Sequence, residues 1–389
     1  MDKQKVFIIG SKGTPAKYGG FETFVDNLVT RQKSLKIEYF LACRRDLSQN
    51  KADIYQYAGA KCFNIDVPNI GPAKAIIYDV RALSWIVKYI RENNIKGAII
   101  YILACRIGPF IGHYKRTLKD YHVTIFVNPD GHEWLRAKWS YPVKRYWKYS
   151  EKLMVKNADL LICDSRHIEL YIRDSYRKYQ PKTTYLSYGA TIAQTSSFSE
   201  TLEKWYKDHD IRPNQYYLIV GRFVPENNYQ TMISEFIKSN TSRDLVIITG
   251  VNNERFYEKL EQKTHFKEDS RVKFVGTVYD KELLKQIREH AFAYLHGHEV
   301  GGTNPSLLEA LGTTKLNLLL KVGFNEEVGQ NGALYWTKKP GSLTEIINQA
   351  EVLPKAKIDE YAKNSKKNIL SEFDWDKIVA RYELTFLKK

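Results

Sequence analysis

The sequence of 389 residues has few cysteines, no long apolar run and no low-complexity segment. The four cysteines, Cys43, Cys62, Cys105 and Cys163, show no CxxC pair and no metal-ligand spacing, so neither a zinc module nor a disulfide framework is indicated. The longest apolar run, residues 97–105, has the length of a strand and is far shorter than the ~20 residues of a membrane-spanning helix. The N-terminus enters a strand-like segment at once, which disfavours a signal peptide. We therefore expect a protein of the reducing cytoplasm, either soluble or held at a membrane surface.

Acidic residues are outnumbered by basic ones, 44 to 60, which gives a net charge of +16. Such a balance favours anionic partners: nucleic acid, phosphorylated ligands or acidic lipid surfaces. A simple contribution to solubility is the alternative. No nucleic-acid-binding module is recognisable, and the basic residues are scattered along the chain, so nucleic acid is not an expected partner.

Strand-like and helical segments alternate in two successive series, and the chain is too long for one ordinary core. This alternation predicts an α/β protein with two Rossmann-like domains, each a parallel sheet covered by helices. The predicted parts are a first domain (1–190), a Ser/Thr-rich linker (191–204), a second domain (205–372) and a C-terminal helix (373–389). Ligands of open α/β sheets bind at the carboxyl ends of the strands, so we expect chemistry in the loops there.

Glycines dominate the loop after the first predicted strand, GSKGTPAKYGGFE, at residues 10–22. Glycines before a helix allow backbone N–H groups to approach an anion at the helix N-terminus. The spacing matches neither the dinucleotide fingerprint GxGxxG nor a P-loop. A tight turn without a ligand is the alternative.

Charged and aromatic side chains are concentrated in a second loop, residues 128–139, which follows another strand-like segment. The candidates in this loop are Asp130, His132, Glu133, Trp134, Arg136, Lys138 and Trp139. Tryptophan faces commonly pack against a sugar or a lipid, while charges fix the orientation of the ligand. An Asp-Gly turn at a strand end, with no ligand, is the alternative.

Two loops of the second series have features suited to an anion. Arg222 directly follows an apolar strand, and its guanidinium could hold a phosphate bidentately; an ordinary surface arginine is the alternative. In HEVGGTNPSLLEALG (298–312), Thr303 or Asn304 can cap a helix whose first residue is Pro305. The start of that helix could offer N–H groups to a phosphate.

One carboxylate lies inside that helix. Glu309 is about one turn from the helix start, too far to serve as a cap, so we expect it to accept hydrogen bonds from ligand hydroxyls. A core-edge glutamate paired with a basic residue is the alternative. The His-Gly-His of residues 296–298 lacks a third ligand at a suitable spacing, so no metal site is predicted.

Together these motifs resemble the family-four retaining glycosyltransferases, which have the GT-B fold. More narrowly, GSKGTPAKYGGFETFV, NPDGHEWLRAKW, GRFVPENN and GGTNPSLLEA resemble bacterial rhamnosyltransferases of the beta-1,4-L-rhamnosyltransferase type, which build capsule and cell-wall polysaccharides. The resemblance implies two Rossmann-like domains facing across a cleft, with the C-terminal helix crossing back to the first domain. It implies a dTDP-L-rhamnose donor, an undecaprenyl-pyrophosphate-linked saccharide acceptor (GlcNAc or Glc), no metal and no cofactor. We expect a cytoplasmic location, peripheral at the inner face of the cell membrane.

The resemblance assigns roles to particular residues. Arg222 would hold the donor diphosphate, and Asp130 would contact the acceptor or the reacting sugar, which makes these two the catalytic candidates. The implied donor-binding residues are Gly19, Gly20, Glu299, Gly302, Thr303, Asn304, Pro305, Ser306 and Glu309. The acceptor-side residues are His132, Glu133, Trp134, Arg136 and Lys138.

Two positions depart from the family pattern. A glutamate expected eight residues before Glu309 is Gly301, and the nearest carboxylate is Glu299. A lysine expected after Arg222 is Asn227, and Lys12 or Lys17 are candidates for the missing charge.

Residues 136–156 are rich in basic and aromatic side chains, and we expect them to lie near an anionic membrane surface. A solvated helix face is the alternative for this segment. The alternatives for the function are a glycosyltransferase with another nucleotide-sugar donor and a nucleotide-sugar epimerase, which can share this fold.

Overall fold

The structure is a computed structural model and describes residues 3–16, 19–192 and 198–388. The chain forms two compact units. The first consists of Met1–Leu135, Trp139–Gly189 and Trp375–Lys389, and the second of Arg136–Lys138 and Ala190–Asp374. Each unit contains a largely parallel sheet with helices, so the predicted α/β class is confirmed.

The first unit is built on an eight-stranded sheet. Its strands are β1 (Gln4–Ile9), β2 (Ile37–Arg44), β3 (Ile54–Tyr57), β4 (Ala60–Ile65), β5 (Ile99–Leu103), β6 (Thr124–Asn128), β7 (Leu160–Cys163) and β8 (Thr183–Tyr185). Its helices include α1 (Gly20–Thr30), α2 (Lys74–Glu92), α3 (Gly108–Thr117), α4 (Tyr141–Asn157) and α5 (Arg166–Ser175). The strand order is β3-β4-β2-β1-β5-β6-β7-β8, and β3 pairs with β4 in the antiparallel direction.

Apolar residues of strands and helices meet in the first core. Phe7 and Ile100 of the sheet are completely buried and pack in one cluster with Ala82, Leu83 and Ile86 of α2. The spacing of these α2 residues puts them on one helix face, which the sheet covers. Burying such side chains contributes about 1.5–3 kcal/mol each.

The second unit is built on a six-stranded parallel sheet in the order β11-β10-β9-β12-β13-β14. The strands are β9 (Tyr216–Val220), β10 (Asp244–Ile248), β11 (Val272–Phe274), β12 (Ala293–His296), β13 (Asn317–Leu320) and β14 (Leu334–Trp336). The helices are α6 (Glu200–Asp208), α7 (Tyr229–Ile237), α8 (Glu254–Thr264), α9 (Lys281–Glu289), α10 (Pro305–Thr313), α11 (Gly323–Gly329), α12 (Ser342–Glu351) and α13 (Lys355–Glu372).

The predicted linker, residues 191–204, needs a correction. Residues 193–197 of it lie outside the described residues, but α6 already begins at Glu200. The Ser199 hydroxyl accepts a hydrogen bond from the Leu202 N–H (3.2 Å), and Leu202, Trp205 and Tyr206 are buried. A serine cap followed by apolar residues at helical spacing starts a helix here.

Both sheets reverse their strand order at one place. In the first unit β1 lies between β2 and β5, and in the second β9 lies between β10 and β12. Loops after β1 and β5, and after β9 and β12, therefore leave each sheet at its switch point, where open α/β sheets bind ligands.

The last helix, α14 (Trp375–Leu387), belongs to the first unit, as predicted. Its Tyr382 ring lies 4.8 Å from Phe24 of α1, and Phe386 lies 5.9 Å from Tyr101 of β5. Its buried Glu383 carboxylate accepts hydrogen bonds from the backbone N–H groups of Lys33 (2.8 Å) and Ser34 (3.1 Å). Packing and hydrogen bonds thus fix this helix on the first sheet.

Candidate functional site

The loop after β1 is held from several directions. Gly10 has a φ of 101°, and a Cβ there would lie 2.3 Å from the Leu103 carbonyl oxygen, so only glycine fits. The Tyr78 hydroxyl donates to the Ser11 carbonyl (2.8 Å), and Arg106 Nη1 donates to the Gly10 carbonyl (3.0 Å). The first residues of the predicted glycine loop, Gly10 and Ser11, are therefore fixed by these contacts.

Gly19 and Gly20 lie at the start of α1. Gly19 has a φ of 123°, and a Cβ there would come within 1.9 Å of Glu22 Oε2. The other carboxylate oxygen of Glu22 accepts from the Lys12 N–H (2.9 Å). The contact with Glu22 is thus sufficient to explain why residue 19 is glycine. The predicted approach of an anion would be a second reason. Lys17 of this loop lies outside the described residues.

A buried ion pair supports this switch point. Asp79 of α2 is fully buried, and its Oδ2 lies 3.0 Å from Nη1 of Arg106, which follows β5. Burial raises the pKa of the Asp79 carboxyl, and the Arg106 charge opposes that shift. The sequence did not predict this pair, because its partners lie 27 positions apart on different elements.

Asp130 lies in a turn with unusual backbone geometry after β6. The φ angles of Asp130, Gly131 and His132 are 63°, 111° and 49°. The Asn128 side chain accepts from the Asp130 N–H (2.8 Å) and fixes the start of the turn. A left-handed backbone at residues other than glycine is uncommon and is concentrated at functional sites. This geometry therefore supports Asp130 as a candidate functional residue.

The aromatic part of the same loop is anchored on the first unit. The His132 ring lies 4.1 Å from the Tyr171 ring, and the Lys148 ammonium lies 4.5 Å from the Trp134 ring centre. Burial lowers the pKa of His132. Glu133 accepts a hydrogen bond from the Trp139 indole N–H (3.0 Å). His132, Glu133 and Trp134 thus have partners within the protein, and these contacts orient the loop that carries Asp130.

The prediction placed all of residues 1–190 in the first domain. In the structure Arg136–Lys138 belong to the second unit instead. The side chain of Arg136 is buried, with Nη1 3.8 Å from Oε1 of the buried Glu226. Lys138 is exposed. The carboxylate of Glu226 offsets part of the cost of burying the Arg136 charge.

The loop after β9 carries Arg222 on the surface of the second unit. Arg222 is exposed, and its guanidinium has no hydrogen bond or ion pair within the part of the chain that the structure describes. The Asn227 side-chain N–H donates to the Arg222 carbonyl (2.7 Å). The neighbouring Asn228 side chain donates to the Gly297 carbonyl (2.8 Å), which ties this loop to the loop after β12. The sheet thus presents a cation at its switch point.

Helix α10 begins beside that loop, and Asn304 is its cap. The Asn304 side chain accepts from the N–H groups of Ser306 (2.9 Å) and Leu307 (3.4 Å), and Pro305 is the first helical residue. Pro305 has no N–H, and that of Ser306 is already used. Gly302 and Thr303, which come before the cap, are buried.

Glu309 has a basic partner that the sequence did not identify. Its Oε2 lies 2.8 Å from Nη2 of Arg288, which also donates to the Ser306 hydroxyl (3.1 Å). The Arg288 side chain is 5 % exposed and that of Glu309 is 41 % exposed. The buried guanidinium therefore orients a carboxylate that still reaches solvent. Glu309 can therefore pair with Arg288 and still bind a ligand, so the two interpretations of this residue are compatible.

Glu299, the candidate for the glutamate missing at Gly301, has a partner within the protein. Its Oε2 forms an ion pair with Lys338 Nζ at 2.7 Å. A Cβ on Gly301 would instead lie 3.6 Å from His298 Nε2, and Gly301 has a φ of 123°. The side chain next to the missing glutamate is thus an imidazole, not a carboxylate.

Two buried histidines, His296 at the end of β12 and His298 in the loop that follows, lie at this switch point. Burial lowers the pKa of His296 to about 3. Burial also lowers the pKa of His298, with further contributions from His296, Arg136 and Arg222. Both rings are therefore neutral near pH 7. Among the residues described, no group of three or more His, Cys, Asp or Glu side chains could hold a metal ion.

Comparisons with known proteins agree with this architecture. Residues 3–191 match a family model described as "Domain of unknown function (DUF1972)". Over 388 residues the chain is 23 % identical to a protein of Methanocaldococcus jannaschii named "Uncharacterized glycosyltransferase MJ1069", covering 95 % of this chain and 94 % of that protein.

Solved structures with low sequence identity share the whole fold. A sucrose-phosphate synthase from Thermosynechococcus elongatus is 16 % identical with a TM-score of 0.79, and 99 % of each chain is covered. Anabaena Alr3699/HepE in complex with UDP-glucose is 14 % identical with a TM-score of 0.71, covering 99 % of this chain and 100 % of that one. The class that the fold defines is therefore GT-B: an α/β chain with two parallel-sheet domains.

Proposed function

We propose that this protein is a retaining glycosyltransferase that moves L-rhamnose from dTDP-L-rhamnose to a lipid-pyrophosphate-linked GlcNAc or Glc. The product would enter cell-wall or capsular polysaccharide. One observation carries the proposal: the exposed Arg222 stands at the switch point of the second sheet, in a loop tied to the segment that leads into α10. A cation near a helix start suits a diphosphate.

The donor would bind in the second unit. Arg222 would hold the diphosphate, and the backbone N–H of Gly302 would donate to it. Glu309, oriented by Arg288, would accept hydrogen bonds from the ribose hydroxyls. UDP-glucose bound to Anabaena HepE, a protein of the same fold, supports a nucleotide-sugar donor.

The chemical step needs charge stabilisation more than an external acid. The bond between the sugar and the β-phosphate oxygen breaks, and a new bond forms from the acceptor hydroxyl oxygen to the same carbon. The departing diphosphate takes the proton of that hydroxyl. Arg222 would stabilise the developing negative charge by about 1.5–3 kcal/mol, and Asp130 would orient the acceptor hydroxyl. In this mechanism no metal and no cofactor take part.

A donor screen tests the proposal. Purified protein is incubated with dTDP-L-rhamnose, UDP-glucose and other nucleotide sugars, each with a synthetic lipid-pyrophosphate-GlcNAc or -Glc acceptor and with EDTA present. We expect a mass increase of one deoxyhexose from dTDP-L-rhamnose only, with the anomeric configuration of the donor. Transfer from another donor would refute the rhamnose assignment. Conversion of the donor without an acceptor would identify an epimerase.

We also propose that helix α4 brings the protein to the inner face of the cell membrane. Tyr141, Arg145, Tyr149 and Lys156 are exposed and recur at helical spacing along α4. Such a stripe suits an anionic surface, because aromatic rings enter the interface and each basic residue contributes about 1 kcal/mol. No helix in the described ranges is long and apolar enough to cross a membrane.

Vesicle co-sedimentation tests this surface. We expect binding to phosphatidylglycerol vesicles at low salt, little binding to phosphatidylcholine vesicles, and a loss of several-fold with Arg145→Glu. Lys259→Glu, at an exposed position on α8, makes a matched change of charge in the second unit and should bind like the wild type. Equal loss in both variants would mean that net charge, not α4, governs binding.

A further inference from the structure

The side chain of His298 is held in one tautomer by its neighbours. Its Nδ1 lies 2.8 Å from Asn227 Oδ1, while the Asn227 Nδ2 donates to the Arg222 carbonyl at 2.7 Å. Because a carbonyl oxygen only accepts, the amide nitrogen of Asn227 must face Arg222, and its oxygen must face His298. His298 Nδ1 therefore carries the proton, and Nε2 carries a lone pair.

The lone pair of His298 faces the place where the side chain of residue 301 is missing. A Cβ on Gly301 would lie 3.6 Å from Nε2, so glycine leaves this side of the imidazole open. No partner of Nε2 is found among the described residues, and His298 keeps 7 % of its surface exposed. Asn227 bridges the Arg222 carbonyl and His298 Nδ1, so the diphosphate-binding candidate lies in the same neighbourhood.

The chemistry of this acceptor selects its ligand. A lone pair on a neutral imidazole repels a phosphate oxygen, and it attracts a hydroxyl hydrogen. We propose that His298 Nε2 accepts a hydrogen bond from one hydroxyl of the donor's sugar, which makes His298 a residue that determines donor specificity. This inference rests on the proposed function, since it takes the diphosphate of the same donor to be held by Arg222.

A calorimetric comparison separates contact with the sugar from a structural role. The wild type and His298→Ala are titrated with dTDP and with dTDP-L-rhamnose. Affinity for dTDP should stay within about twofold, which also reports that the second unit is folded. Affinity for dTDP-L-rhamnose should fall about tenfold, the weight of one hydrogen bond. His298→Gln, which offers an amide oxygen, should recover part of the loss.

The matched control is His265→Ala, at an exposed histidine that follows α8. It should leave both affinities unchanged. If His298→Ala lost equal affinity for dTDP and for dTDP-L-rhamnose, the inference would be overturned, because His298 would then have a packing role only.

Deoxygenated donors identify the contact. Analogues of dTDP-L-rhamnose that each lack one sugar hydroxyl are titrated against the wild type and His298→Ala. We expect one analogue to bind the wild type about tenfold more weakly, while His298→Ala does not distinguish it from the parent donor. If every analogue lost the same affinity in His298→Ala as in the wild type, the inference would be overturned. If the wild type binds UDP-glucose instead, the same test uses deoxy analogues of UDP-glucose, and only the rhamnose assignment fails. A wild type that binds neither nucleotide sugar would overturn the proposed function and, with it, the role of His298.

Discussion

Both sheets have an arginine at their switch point, but the two units treat its charge differently. In the first unit Arg106 is paired with the fully buried Asp79 at 3.0 Å and also holds the Gly10 carbonyl. In the second unit Arg222 is exposed, and its guanidinium has no hydrogen bond or ion pair among the residues described. One arginine is used to fix a loop, and the other is available to an anion.

The difference shows that position in the fold is not enough to identify a binding residue. Carboxyl ends of strands gather in both units, but a charge that is already neutralised by its own protein gains little from a ligand. The second unit is therefore the better candidate for holding a diphosphate. The following four changes test this contrast.

Asp79→Ala should have the largest effect, on stability. It leaves the Arg106 charge without its buried partner, so we expect a loss of about 3–5 kcal/mol in the free energy of unfolding. Urea denaturation measures it. Asp376→Ala, which removes a half-exposed partner of Arg31 and Lys33, should cost about 1 kcal/mol or less. Similar losses in the two variants would contradict a structural role for the buried pair.

Asp130→Asn should lower turnover roughly a hundredfold if its carboxylate orients the acceptor hydroxyl. The affinity for dTDP should not change, because Arg222 and Glu309, which are proposed to hold the diphosphate and the ribose, belong to the other unit. Rates with a lipid-linked acceptor and calorimetry with dTDP give the two values. Near-normal turnover in the folded variant would remove Asp130 from the mechanism.

Arg222→Ala should weaken dTDP binding and kcat/KM together, by about 1.5–3 kcal/mol each, because a charge-assisted contact to the diphosphate is lost. Arg255→Ala removes an exposed arginine of α8 and provides the control. Arg222→Lys tests geometry, since lysine keeps the charge but loses the fork. Unchanged dTDP affinity in Arg222→Ala would mean that both switch points are structural.

Asn227→Asp should have the smallest effect, and it should depend on pH. The wild-type His298 has a lowered pKa, caused by burial and by His296, Arg136 and Arg222, so donor affinity should be flat between about pH 6 and about pH 8. A carboxylate at position 227 raises the pKa of His298, so the ring gains a proton as pH falls and Nε2 becomes a donor. Donor affinity of the variant should then fall several-fold towards pH 6 in calorimetric titrations. A flat profile would argue against the acceptor role of Nε2.

The sequence could place the loops but not their internal pairings. Arg222 and Asn304 were identifiable because each follows a strand-like segment, and a capped helix start has a local signature. Arg288 and Glu309 meet across two helices, and Asn227 meets His298 across 71 positions. Such contacts depend on strand order, which no local pattern in a single sequence reports.

One strand pair was missed for a local reason. Strands β3 and β4 form a hairpin through Ala58 and Gly59, whose φ angles are 46° and 81°. Hairpins of this type usually have Asn or Asp at the first turn position, and alanine rarely adopts a left-handed conformation. The turn therefore lacks the residues that would have predicted it.

Helix α14 has a consequence for how the chain folds during synthesis. The chain leaves the first unit at Gly189 and returns at Trp375, and all of the second unit except Arg136–Lys138 lies between these two residues. Tyr382 and Phe386 pack against Phe24 of α1 and Tyr101 of β5, so the first unit stays incomplete until the second unit has been translated. The second unit, although it is synthesised later, can therefore complete its fold first. The first unit completes its fold only after the ribosome has released the last helix.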